Sequence, residues 1–127
     1  MPARAYEIHG VRVFECAAEG EQPRNDRDAV NLVSAAWEHG ASFIVIPVER
    51  LGDDFFRLSS RIAGEIFQKF VTYRVRVAIA GDISRYLAES CSLRDFVYEA
   101  NRGDHIWFVQ DLEELGKRLE AAKGREG

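Results

Sequence analysis

Any chemistry in this chain has to come from a few polar positions. Ser59 and Ser60 stand side by side in "LSSRIAGEIFQKF" (58–70), a stretch with helical periodicity. A hydroxyl at a helix start is a candidate phosphoacceptor, because the dipole there favours the roughly −2 charge that a phosphate adds. Arg61, Glu65 and Lys69 follow at intervals of four, so they share one face and Glu65 can pair with both neighbours. Acid–base work by Glu65 would need a pocket and a shifted pKa; a solvated ladder needs neither. In "SLRDFVYEANRG" (92–103), Leu93, Phe96, Val97 and Ala100 form an apolar stripe. Arg94, Tyr98, Asn101 and Arg102 fall on the other side, with Glu99 among them. Tyr and Arg are the types that anchor partners, and Asn101 with Arg102 equally suits a helix end, where cations favour the dipole. Asp82 follows Gly81 at the end of an apolar run, and open α/β sheets bind ligands at that edge. The candidate phosphoacceptors are therefore Ser59 and Ser60. The candidate partner- or ligand-binding set is Glu65, Lys69, Asp82, Arg94, Tyr98, Glu99, Asn101 and Arg102.

Other chemistries find no pattern here. His9, His39 and His105 lack metal-ligand spacing, so no metal is expected. There is no GxGxxG, no P-loop and no nucleophile elbow. No catalytic residue and no cofactor are therefore assigned. The formal net charge is −4, with 17 basic residues scattered among 21 acidic ones. Nucleic-acid binding needs clustered cations to release counterions, so no nucleic acid is expected. Cys16 and Cys91 form no CxxC pair; free, buried thiols in a reducing compartment are expected. The first twenty residues alternate polar and apolar, unlike a signal peptide. The longest clean apolar run, Phe43 to Ile46, is far short of the ~20 residues of a membrane helix. A cytoplasmic protein with no membrane contact is expected.

The elements that must position these residues are read from periodicity. The 127 residues suit a single domain, with an ordered core over about 6–120. "YEIHGVRVFEC" (6–16) alternates with period two around His9-Gly10, which reads as a hairpin. Asn25 or Asp26 can cap a first helix, whose stripe is Ala29, Val30, Val33, Ala36 and Trp37, with Gly40 as its stop. "SFIVIPV" (42–48) reads as a buried parallel strand. A second helix is expected from Asp54 to Tyr73, on the stripe Phe55, Leu58, Ile62, Ile66 and Phe70. Gly64 costs such a helix about 1 kcal/mol relative to Ala, which predicts close packing at Ala63-Gly64. "RVRVAIAGD" (74–82) is the next strand. A third helical region spans Ser84 to Arg102, breakable near Cys91, with Ser92 and Asp95 as a capping pair. "HIWFVQ" (105–110) is the last strand. Asp111 and Glu114 cap a final helix on Leu112, Leu115 and Leu119, and "KGREG" is expected to fray. The predicted fold class is α/β, one mainly parallel or mixed sheet in the order ββαβαβαβα.

Two resemblances follow from these residues. "DDFFRLSSRIAGEIFQKFVTYRVRVAIAGD" with "SLRDFVYEANRG" resembles the bacterial domain-of-unknown-function family 4180, over about Tyr6 to Leu119. Its most specific pieces are Ala63-Gly64-Glu65, Gln68-Lys69-Phe70 and Glu99 to Gly103. That resemblance implies no activity. The element order is also similar to that of the STAS domains, the anti-sigma-factor antagonist and sulfate-transporter modules. This implies a STAS-like architecture and, as in the antagonists, a serine phosphorylated by a partner kinase at the start of the second helix. Ser59-Ser60 before "RIAGEIF" resembles that serine pair. The loop "ERLGDDFF" is longer than in the antagonists. A helix that already starts at Asp54 would bury the serines in its interior and leave Asp53 and Asp54 at the switch position. Two functions are thus expected as alternatives. One is a non-enzymatic STAS-like regulatory or protein-interaction module, with a protein partner or a homo-oligomer. The other is a small-molecule-binding protein or small enzyme, with Asp82, Glu65, Glu99 and Arg102 lining a pocket at the C-terminal edge of the sheet.

Overall fold

The computed structural model describes residues 3–126, with side chains to residue 122. Strands β1 (Arg4–Ile8) and β2 (Val11–Glu15) form the expected hairpin. Its turn is His9-Gly10, both in the left-handed region at φ 49° and 83°. Helix α1 (Asp26–Glu38) follows, then β3 (Phe43–Pro47), α2 (Asp53–Phe56), α3 (Ile62–Thr72) and β4 (Arg76–Ala80). The chain closes with α4 (Ser84–Glu89), α5 (Cys91–Arg102), β5 (Ile106–Val109) and α6 (Leu112–Glu126). The last helix runs through most of the tail expected to fray; Gly127 lies outside the described residues.

The fold is α/β, with one five-stranded mixed sheet in the sequential order β1-β2-β3-β4-β5. β1 and β2 are antiparallel; the other pairings are parallel. Parallel crossovers between successive neighbours, which take one hand, place α1, α3 and α5 on the same face, where their residues share one core cluster. Strand alternation then divides the core. Phe14, Ile44, Ile46, Val77, Ile79 and Phe108 face α1, α3 and α5. Val13, Phe43, Val45, Ala78, Trp107 and Val109 face the other way and are covered by Leu115 and Leu119 of α6. The β-branched run of β3 is buried on both faces, which explains its lack of a polar residue.

The predicted second helix is broken in two places. Arg57 is extended and Arg61 is left-handed at φ 67°. Ser60 supplies the cause: its Oγ donates to the Asp54 carbonyl at 2.6 Å and accepts the Ile62 N–H at 3.3 Å. Serine competes in this way for backbone groups that a continuous helix would use. A 3-10 turn, Leu58–Ser60, fills the gap. The third helical region also divides, at Ser90, whose hydroxyl accepts the Leu93 N–H at 3.1 Å. Ser90 therefore caps α5, not Ser92. Asn25 and Asp111 cap α1 and α6 as expected. Three further expectations fail. Trp37 is 52% exposed and not part of the α1 core stripe. Cys91 is exposed; only Cys16 is buried, and burial pushes its thiol up to about 12. Gly64 is exposed, and a Cβ there would meet nothing within 4 Å, so no close packing within the chain requires a glycine there.

Candidate functional site

The sheet's C-terminal edge carries a built-up concavity. Between α2 with its 3-10 turn and the α4–α5 corner lies a groove of about 480 Å³. One wall carries Asp53, Arg57 and Ser59; the other carries Arg85, Tyr86 and Glu89. A second hollow of about 390 Å³ adjoins it and is lined by Glu49, Gly52 and Asp82. Asp53, Arg85 and Tyr86 line both.

These three residues bridge the two walls. The Tyr86 hydroxyl donates to Asp53 Oδ1 at 2.6 Å, and Arg85 Nη2 donates to the same oxygen at 3.0 Å. Arg85 Nη2 also lies 2.5 Å from the Tyr86 oxygen, with its guanidinium 4.5 Å from the ring centre. The Tyr86 ring stacks at 4.2 Å on Phe56, which is buried in the core. Burial, then the hydrogen bond to the Asp53 carboxylate, raises the Tyr86 phenol above its ordinary range. The phenol therefore stays protonated and keeps donating. Next to it, Asp82 Oδ1 accepts both the N–H (2.9 Å) and the hydroxyl (2.6 Å) of Ser84. These bonds hold its carboxyl below the usual range and fix the entry to α4.

The predicted site residues do not converge. Ser59 is exposed on the groove wall and, among the described residues, its hydroxyl has no hydrogen-bond partner. Ser60 is held by Asp54 and Ile62. Asp82 lies at the C-terminal edge, but Glu65, Glu99 and Arg102 line neither hollow there. Glu65 and Lys69 lie on the outer side of α3. Among the described residues no ion pair joins Glu65 to Arg61 or Lys69, so the expected ladder is absent. Arg94 Nη2 sits 2.8 Å from Cys91 Sγ at the first turn of α5. Tyr98, 63% exposed, lies under the Arg102 guanidinium at 5.5 Å, and Arg102 is 3.9 Å from Glu99.

Asn101 leaves the expected Tyr–Arg–Asn face. It is half-buried, and its Oδ1 accepts the Phe108 N–H at 2.7 Å. β5 is an edge strand, so this side chain satisfies a backbone donor that no neighbouring strand can reach. Removing the acceptor leaves a buried N–H unmade, a loss of about 1–3 kcal/mol. Asn101→Ala is thus expected to lower the urea midpoint clearly, while Asn101→Asp, which keeps the oxygen, loses less. Equal losses in the two variants would contradict this role.

Sequence reading missed Asp53, Arg57, Arg85 and Tyr86 as a group. Gly81-Asp82, marking a parallel strand end, and Ser59, with Asp53 named only as the alternative to it, pointed near them. Among the described residues no His, Cys, Asp and Glu cluster suits a metal ion, and no helix is long and apolar enough to cross a membrane.

Fold and groove together define a small α/β domain with one mostly parallel sheet and an open, charged depression at its C-terminal edge. The chain belongs to the family described as Domain of unknown function (DUF4180), whose model matches residues 8–119. No curated protein and no solved structure matches it.

Proposed function

We propose that this protein is a non-enzymatic, STAS-like regulatory module that engages a protein partner at the C-terminal-edge groove and is switched by phosphorylation of Ser59. The observation that carries this reading is the contrast between the two serines. The Ser59 hydroxyl is unengaged on the groove wall, whereas Ser60 ties α2 to α3. Because the long helix breaks at Arg61, Ser59 falls between β3 and the first turn of α3. The resemblance gives that place to the acceptor serine. A kinase would transfer a phosphoryl group from a nucleoside triphosphate to its Oγ. The added charge, about −1.5 to −2, would enter a groove already carrying Arg57 and Arg85 against Asp53 and Glu89. Charge of that size reverses which partner surface fits. The groove's ions are well solvated: Asp53 and Arg85 side chains are 68% and 73% exposed. Solvated ions suit recognition of another surface better than proton transfer, which relies on groups tuned by burial.

Intact-mass measurement and peptide mapping of the protein from its native cells test this directly. Phosphate on Ser59 with none on Ser60 is the expected result, and Ser59→Glu should recover a different set of co-purifying proteins from Ser59→Ala. A mass that stays unmodified across growth conditions, with identical partners for both variants, sinks the proposal.

A further inference from the structure

Helix α3 is the middle helix of its layer: it packs on α1, and its Phe67 stacks on Phe96 of α5 at 5.8 Å. Its outer side exposes Gly64, Glu65, Gln68, Val71 and Thr72, so one large apolar side chain stands among small and polar ones. Val71 is 51% exposed, and an apolar groove of about 330 Å³ is lined by Gly64, Phe67, Val71, Phe96 and Ile106. Exposed Trp37 of α1 and Tyr73, just past the end of α3, pair edge to face at 5.6 Å.

We infer that this face binds a second copy of the chain, with α3 antiparallel to α3 of the partner about a twofold axis near Phe67 and Gln68. Two features make the surface complementary to itself. Gly64 and Val71 lie seven residues, or about 10 Å, apart on one side of the helix. An axis midway between them sets each Val71 into the notch at the other copy's Gly64, where space for a side chain is open. Glu65 and Lys69 lie on the other side of the ridge, with their midpoint at residue 67, half a residue or about 0.75 Å along the helix from that of Gly64 and Val71. The same axis therefore sets Glu65 of each copy beside Lys69 of the other, so two ion pairs form at once. Within one chain no ion pair among the described residues joins these two charges. This surface lies outside the groove that contains Ser59, so the inference stands or falls separately from the proposed function.

Sedimentation equilibrium of the full 127-residue chain is the test. A dimer is expected. Gly64→Lys and Val71→Asp should each raise its dissociation constant at least about tenfold, equivalent to about 1.4 kcal/mol, with an unchanged far-UV circular dichroism spectrum. Glu65→Lys alone and Lys69→Glu alone should weaken it, because each creates two like-charge contacts. The double exchange, Glu65→Lys with Lys69→Glu, should restore it; an unchanged circular dichroism spectrum separates this from a folding effect, since Lys69 is half-buried. A wild-type monomer up to the solubility limit overturns the inference. A dimer indifferent to Gly64→Lys and Val71→Asp, or one the double exchange fails to restore, does so as well.

Discussion

Ile66→Asp is expected to abolish the cooperative unfolding transition and leave a chain without native far-UV signal. Ile66 is fully buried in the core between α3 and the sheet, with Phe70 of the same stripe beside it. The substitution removes an apolar side chain whose burial contributes about 1.5–3 kcal/mol. It also places a carboxylate where no cation or donor is available, at a further cost of several kcal/mol. Those losses approach the roughly 5–15 kcal/mol that holds an entire domain together. Ile66→Val is the matched control, since it keeps the shape and should cost only about 0.5–1.5 kcal/mol. Thermal melts of both variants decide the matter. A wild-type melting temperature for Ile66→Asp would mean that α3 presents this position to solvent.

Gly81→Ala is the second large effect. Gly81 ends β4 at φ 141°, a conformation that L-residues rarely adopt. A Cβ there would lie 2.7 Å from Cγ2 and 2.9 Å from Cβ of Val48, which begins the turn after β3. The backbone has little freedom to yield, because the Gly81 N–H donates to the Val109 carbonyl at 2.9 Å. Backbone strain of about 1–3 kcal/mol and overpacking of similar size act together here. Equilibrium urea unfolding should show a loss of several kcal/mol. Shortening the neighbour, in Gly81→Ala with Val48→Ala, should recover the steric part and leave the strain. A loss within about 0.5 kcal/mol for the single variant, the range of ordinary surface substitutions, would show that this corner yields to the added Cβ. The same substitution should disturb the proposed partner site, since Val48 and Asp82 line the hollow that adjoins the groove and shares Asp53, Arg85 and Tyr86 with it.

How far the sequence could be read depended on the range of the interaction concerned. The hairpin was legible because His9-Gly10 states its own backbone requirement. The helices α1 and α6 were legible because Asn25 and Asp111 accept N–H groups three residues ahead. Periodicity placed Ile66, Phe70, Leu115 and Leu119 in the core, where each is found. The breaks at Arg57 and Arg61 were not legible, because Leu58 and Ile62 continue a helical stripe. A hydrogen bond from Ser60 to a carbonyl six residues back overrides that pattern. Trp37 continued a stripe as well, yet α1 offers its core side through the smaller Ala29, Val33 and Ala36.

The candidate site divides in the same way. Ser59 and Asp82 line the two hollows, and both stand out in local pattern, a serine pair opening a helical stripe and a Gly-Asp closing an apolar run. Asp53, Arg85 and Tyr86 do not: the carboxylate and the two side chains that bind it are more than thirty residues apart, and only the crossover from β3 to β4 sets them side by side. Asn101 was placed on a binding face by its position on α5, but the adjacent edge strand claims its oxygen. By itself, then, the sequence determined the α/β class, the strands, most of the caps and the core stripes, all of which depend on residues close along the chain. Tertiary structure alone decided which polar side chains are taken up by distant backbone, as Asn101 is by β5, and where the groove opens. Those outcomes depend on groups the chain brings together only after the sheet has formed.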